Sequence, residues 1–145
     1  MNNYPTYDAA ITGGGLGGLA LSILLAKAGH KVVLIEKETY PFHRVCGEYI
    51  SLESWNFLEA LGYPLSDMDI NIIKHLLVSA PNGKSISHPL PLGGFGISRF
   101  KIDAELAELA KRNGVTVMEG TKVNDIIFQG ETFELQTSAG NIRAT

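Results

Sequence analysis

A run of six residues near the start of the chain has the composition and spacing of a phosphate-binding turn. The run consists of Gly13, Gly14, Gly15, Leu16, Gly17 and Gly18, and its first, third and sixth residues fit Gly-x-Gly-x-x-Gly. In that pattern the first glycine allows a tight turn, the second lets a pyrophosphate approach the backbone, and the third lets the following helix pack closely. The start of that helix offers free N–H groups and the positive end of its dipole. The turn is therefore predicted to bind the phosphates of a dinucleotide.

An acidic residue follows the turn at the distance expected for a ribose-binding carboxylate. Glu36 comes 18 residues after Gly18, at the end of the apolar run Val32–Ile35, and the expected spacing is about 20 residues. A carboxylate there accepts hydrogen bonds from both ribose hydroxyls and disfavours a 2′-phosphate. A Walker-type phosphate loop is excluded at this turn because no Gly-Lys-Ser/Thr triplet directly follows the glycines. The motif leaves open whether the cofactor is FAD or NAD, because both contain adenosine diphosphate.

Regular elements on both sides of the turn are needed to position it. Asp8–Thr12 and Lys31–Glu36 are predicted strands, and Leu16–Ala28 is a predicted helix that is apolar on nearly all sides and is expected to be buried. Strand, helix and strand together form one βαβ unit with a parallel sheet. The predicted fold class is α/β, an FAD/NAD(P)-binding Rossmann-like domain.

The rest of the chain contains further helices and strands. Helices are predicted over Ser51–Leu61 and around Ile102–Ala110, a hairpin over His75–Ala80 and Lys84–His88, a loop over Pro89–Gly96, and a short strand over Val115–Met118. Three short strands separated by tight turns then predict an antiparallel β-meander over Val123–Phe128, Thr132–Thr137 and Asn141–Ala144.

Composition narrows the class of protein. The chain has 145 residues, is 45% hydrophobic and carries a net charge of −3, so a nucleic-acid partner is not predicted. Its single cysteine, Cys46, rules out an internal disulfide. The histidines and acids lack metal-ligand spacing, and the apolar run after Gly15 is too short to cross a bilayer. We expect a cytoplasmic protein with a small-molecule substrate, no stable membrane insertion and no metal; its oligomeric state stays open.

Four segments together resemble a known family. They are Gly13–Gly18 with Glu36 and Lys37, Tyr40–Gly47 (compare Pro-x-x-Lys/Arg-x-Cys-Gly), Ser98–Leu106 (compare Arg-x-x-Leu/Phe-Asp-x-x-Leu), and Gly120–Val123. The chain resembles the N-terminal part of FAD-dependent oxidoreductases of the glutathione-reductase type. The similarity is greatest to the branch that contains p-hydroxybenzoate hydroxylase, geranylgeranyl reductases and flavin-dependent halogenases.

The resemblance implies FAD as cofactor and assigns roles to residues outside the turn. Arg44 and Arg99 would contact the cofactor, and Cys46 with Gly47 would present backbone to the flavin. The backbone of Val123 would pair with the adenine edge, and Lys37 belongs to the same cofactor-binding segment as Glu36.

The resemblance also implies the reaction and the extent of the domain. NAD(P)H would supply electrons, and the reaction would be hydroxylation with O₂ or double-bond reduction, with the Cys46-Gly47 segment favouring the reductases. The family's next segment is a strand that ends in Gly-Asp, and this segment does not occur in the sequence up to Thr145. Residues 1–145 are therefore expected to be the N-terminal portion of an FAD-binding domain, inactive alone, without its closing strand and substrate domain. No catalytic residue can be named. The alternatives are an NAD(P)-binding dehydrogenase domain and a non-catalytic nucleotide-binding module.

Overall fold

The computed structural model of the protein describes residues 4–145, which form two compact units. The first unit comprises residues 4–43 and 100–145, and the second comprises residues 44–99. The first unit begins with β1 (Thr6–Tyr7), β2 (Ala9–Thr12), α1 (Leu16–Lys27) and β3 (Val32–Ile35). The second contains β4 (Tyr49–Ser51), α2 (Trp55–Leu61), β5 (Ile72–Ser79) and β6 (Ser85–Gly96). The chain then adds α3 (Arg99–Arg112), β7 (Thr116–Met118), β8 (Val123–Gln129), β9 (Thr132–Thr137) and β10 (Gly140–Ala144).

A three-stranded parallel sheet of order β2-β3-β7 lies at the centre of the first unit. All four residues of β3 are buried, as expected for a parallel strand covered on both faces. The ladder continues past the strand ends, since Gly13 N donates to Ile35 O at 2.8 Å and Glu36 N to Met118 O at 3.0 Å. The predicted strand–helix–strand unit with a parallel sheet is confirmed, and it brings Gly13 and Glu36 to the same end of the sheet.

Helix α1 is less buried than its sequence predicted. Leu19, Ser22 and Ile23 are fully buried, whereas Leu21 is 47% exposed and Leu24 is 44% exposed. Only one stripe of a helix can face a sheet, and the other side of α1 is apolar without being covered within the described residues. The expectation that the helix is buried all round is therefore wrong for its outer side.

The last three strands form the predicted antiparallel meander, and a strand that was not predicted extends it. The order is β1-β10-β9-β8, with β1 parallel to β10 through the pairs Thr6–Arg143 and Tyr7–Ala144. The meander packs on the parallel sheet through one apolar cluster. This cluster contains Tyr7, Val33, Ile35, Leu135, Ile142 and Ala144.

The second unit contains the sheet β4-β6-β5 and helix α2. The predicted loop over Pro89–Gly96 is wrong, because those residues continue β6 and pair with β4 and β5. Phe95 in this stretch is fully buried and meets Trp55 edge-to-face at 5.2 Å between ring centroids. The predicted helix over Ser51–Leu61 is a 3₁₀ turn, Leu52–Ser54, followed by α2. Across residues 4–145 no helix is both long and apolar enough to span a bilayer.

Candidate cofactor site

Gly13 and Gly18 have the conformation and the close packing that the motif requires of its first and third glycines. Gly13 has φ +97°, a value that favours glycine. A β-carbon on Gly18 would lie 2.1 Å from the carbonyl oxygen of Gly13. Helix α1 therefore approaches the backbone of the turn itself, and only a glycine allows that approach. A β-carbon on Gly17 would meet nothing within 4 Å.

The start of α1 is suited to an anion. Gly15 is the N-cap, and its carbonyl accepts from Leu19 N at 2.9 Å. A glycine has no side chain to cap the first N–H groups, and the first turn of the helix contains no acidic residue. The N–H groups of Leu16, Gly17 and Gly18 lie in the first turn of the helix. N–H groups in that turn have no acceptor within the helix and take one from outside it. This arrangement fits the pyrophosphate of a dinucleotide.

Glu36 lies against this turn. Its side chain is 3% exposed, and Oε2 accepts a buried hydrogen bond from the N–H of Gly14 at 2.7 Å. Oε1 accepts from the N–H of Glu38 at 3.1 Å. The acid and the glycine turn are therefore one connected unit. Lys37 next to it is largely solvent-exposed, with its amine 3.8 Å from the Glu38 carboxylate.

Sequence reasoning missed one residue of this site, Tyr40. Its hydroxyl donates to the carbonyl of Gly14. A β-carbon on Gly14 would lie 1.8 Å from that hydroxyl oxygen and 3.0 Å from the β-carbon of Glu36. The one signal in the sequence was a glycine at a position where the motif accepts any residue. A glycine at position 14 indicates that another part of the chain approaches closely there, but it does not show which residue does so.

Val123 lies near the turn in the first unit. It is the first residue of β8, is half-buried, and packs against the apolar cluster that joins the meander to the sheet. Residues 123–126 line an open cavity of about 490 Å³ together with Thr12, the residue directly before the turn. The structure thus brings Val123 and the glycine turn to neighbouring positions. Whether Val123 contacts adenine stays a prediction.

The other predicted cofactor residues belong to the second unit or to its boundary. Arg44 is half-buried, and Cys46 and Gly47 are exposed, with the N–H of Glu48 3.4 Å from the Cys46 sulfur. Arg99 is half-buried and begins α3. Their roles beside the flavin remain predictions. Within residues 4–145 no group of three His, Cys, Asp or Glu side chains has metal-binding geometry.

A charged cluster supports the segment after β3. The amine of Lys111 lies 2.7 Å from Glu108 Oε1 and 2.8 Å from Glu119 Oε1. The other oxygen of Glu119 accepts from the backbone N–H of Tyr40 at 2.9 Å. The hydrogen bonds that the Lys111 amine donates to Glu108 and to Glu119 raise the pKa of Lys111 above its usual value, although partial burial opposes them.

This cluster predicts a weakening of the fold at alkaline pH. Because the pKa of Lys111 is raised in the folded state, its stabilisation is present below the unfolded pKa and is lost as pH rises through the folded pKa. The side chain is 39% exposed, so solvent screening keeps the effect small. Urea unfolding of the wild type and of Lys111→Met should differ at neutral pH and converge above the usual lysine pKa of about 10.4. A constant difference between the two proteins would contradict this prediction.

The turn, the acid and the parallel sheet define a dinucleotide-binding α/β domain. Residues 6–134 match the family described as "FAD binding domain". The chain therefore belongs to this family, and FAD is its cofactor. This finding decides between the two cofactors that the motif left open.

Relatives and solved structures agree with this family. The chain is 29% identical to Conditioned medium factor receptor 1 of Dictyostelium discoideum over 87% of the chain and 28% of that protein. It is 28% identical to menaquinone reductase of Mycolicibacterium smegmatis over 82% of the chain and 30% of that protein. A geranylgeranyl bacteriochlorophyll reductase-like protein of Thermoplasma acidophilum has a TM-score of 0.73 at 25% identity, covering 97% of the chain and 37% of that structure.

A halogenase shares the fold at lower identity. The halogenase PltM, solved with phloroglucinol and FAD, has a TM-score of 0.75 at 20% identity, covering 99% of the chain and 33% of that structure. The chain thus spans about a third of the length of the proteins it matches. An FAD-binding domain is what the chain has in common with menaquinone reductase and the geranylgeranyl reductase-like protein.

Proposed function

We propose that the glycine turn, Glu36 and the backbone of Val123 bind the adenosine diphosphate half of FAD. The observation that carries this assignment is the hydrogen bond from Gly14 N to Glu36 Oε2 at 2.7 Å, buried from solvent. It holds the ribose-binding acid at the turn that would meet the pyrophosphate, so one ligand can contact both. The open cavity between Thr12 and Val123 supports a position for adenine nearby.

For the flavin half we propose Arg44, Arg99 and the Cys46-Gly47 backbone. A guanidinium suits a phosphate because it can donate two parallel hydrogen bonds. Cys46 is the single cysteine of the chain, so the chain supplies no second thiol for disulfide exchange with it. We therefore assign the segment to holding the cofactor, through backbone groups at Cys46 and Gly47 and through the charge of Arg44.

We infer that the whole protein is a flavin-dependent reductase that takes electrons from NAD(P)H. FAD supplies the redox chemistry when bound, and the protein supplies position and electrostatics. The Cys46-Gly47 segment and the similarity to menaquinone reductase favour reduction of a small-molecule substrate, with a quinone as the first one to test. O₂-dependent hydroxylation is the alternative. We also propose that the protein is related to FAD-dependent oxidoreductases of the glutathione-reductase type and, within them, to geranylgeranyl reductases.

We also propose that residues 1–145 are one part of a longer protein. The matched relatives are about three times as long, which supports residues 1–145 as an N-terminal portion of the FAD-binding domain. A cytoplasmic location accords with a single, exposed cysteine that pairs with no other in this chain.

The test begins with the cofactor and then separates the reactions. We expect the purified whole protein to carry a flavin that is released on denaturation and identified as FAD by chromatography. Under anaerobic conditions we expect NADH or NADPH to bleach the flavin and added menaquinone to restore its oxidised spectrum. Reoxidation by O₂ but not by the quinone, with a hydroxylated product, would instead support the alternative. Protein that binds neither FAD nor its adenosine diphosphate part would contradict the whole proposal.

A further inference from the structure

The two peptide groups that flank Gly14 are both held by side chains. The N–H of Gly14 donates to Glu36 Oε2 at 2.7 Å, and the carbonyl of Gly14 accepts from the hydroxyl of Tyr40. In a trans peptide the carbonyl and the following N–H point in opposite directions. Holding the Gly14 carbonyl therefore fixes the direction of the N–H of Gly15, the second glycine of the motif.

The chain makes room for this contact. A β-carbon on Gly14 would lie 1.8 Å from the Tyr40 hydroxyl oxygen, so any larger residue at position 14 would push that hydroxyl away. The motif itself does not require a glycine there. The close approach of Tyr40, together with that of the Glu36 β-carbon, thus explains the glycine at position 14.

Tyr40 is itself held in place from two directions. Its backbone N–H donates to Glu119 Oε2 at 2.9 Å, and Glu119 Oε1 lies 2.8 Å from the amine of Lys111 on α3. Its ring contacts that of Phe42 at 5.5 Å between centroids. A chain of contacts therefore runs from α3 through Glu119 and Tyr40 to the glycine turn.

We propose that Tyr40 is a positioning residue that keeps the Gly15 N–H directed at the pyrophosphate before the cofactor binds. The inference rests on the proposed function of the turn. Without the hydroxyl, the peptide between Gly14 and Gly15 is free to rotate, because glycines restrict it little. Binding then includes the entropic cost of fixing that peptide, and a preorganised site avoids this cost.

The test is Tyr40→Phe, which removes the hydroxyl and keeps the ring. We expect Kd to rise about three- to tenfold for FAD and for ADP, since that is the range for one lost hydrogen bond. Adenosine, which lacks the pyrophosphate, should bind the variant and the wild type equally. The matched control is Tyr7→Phe, the same change in β1, just before the end of β2 that is distant from the turn, and it should leave ADP affinity unchanged.

Each outcome separates this inference from the proposed function. Wild-type protein that binds no ADP would contradict the proposed function. Wild-type binding with unchanged ADP affinity in Tyr40→Phe would overturn the role of Tyr40 alone. If Tyr40→Phe loses affinity for ADP and for adenosine equally, whether or not through unfolding, Tyr40 only supports the fold. That result would also overturn the inference.

Discussion

Gly18→Ala is expected to destabilise the protein by roughly 3 kcal/mol, at the upper end of the usual cost of overpacking. The new β-carbon would lie 2.1 Å from the carbonyl oxygen of Gly13. That oxygen belongs to the backbone, so relief requires α1 to move off the sheet or the turn to open. Either movement displaces the amides that would meet the pyrophosphate. We therefore expect Tm to fall by roughly 10 °C and FAD affinity to fall with it, measured by calorimetry and by fluorescence titration.

Gly17→Ala is the matched control for stability. It makes the same change one residue earlier in the same helix, where a β-carbon meets nothing within 4 Å. Alanine is the better helix former by about 1 kcal/mol, so this variant should be as stable as the wild type or more stable. If both variants lose stability equally, the cost comes from losing a glycine at the turn and not from the contact with Gly13.

The site was predictable from sequence where its chemistry depends on local spacing. The positions of Gly13, Gly18 and Glu36 follow from one strand, one helix and a second strand in succession, and each of these has its own apolar pattern. The structure places Glu36 against the turn for the same reason, since parallel strands β2 and β3 end at the same edge of the sheet.

The parts that were not predictable depend on partners distant in the sequence. β1 has two residues and forms a strand through pairing with β10. Residues 89–96 contain prolines and glycines typical of a loop, and they form a strand because β4 and β5 pair with it on either side. The outer side of α1 is apolar in sequence but exposed, since periodicity does not show which side meets the sheet. Tyr40 was missed because its hydroxyl contact depends on the path of an irregular segment.

Glu36→Ala is expected to weaken FAD binding by at least about tenfold and to destabilise the protein as well. The carboxylate accepts hydrogen bonds from the N–H groups of Gly14 at 2.7 Å and Glu38 at 3.1 Å. The Gly14 N–H is buried, and leaving it without an acceptor costs about 1–3 kcal/mol; the Glu38 N–H is only partly buried, so its loss costs less. The loss of charge-assisted hydrogen bonds to the ribose, each worth about 1.5–3 kcal/mol, adds to the weaker affinity, because about 1.4 kcal/mol corresponds to tenfold in Kd.

Two further variants separate the causes of this effect. Glu38→Ala makes the same charge change two residues on, where the side chain is 49% exposed, and it should leave both stability and affinity near wild type. Glu36→Gln keeps the size and one acceptor oxygen, and its amide group faces a backbone donor, so its effect should be intermediate. Titration of apoprotein with FAD and urea unfolding measure the two quantities independently. A folded Glu36→Ala variant with wild-type affinity would remove Glu36 from the cofactor site and leave it as a support of the glycine turn alone.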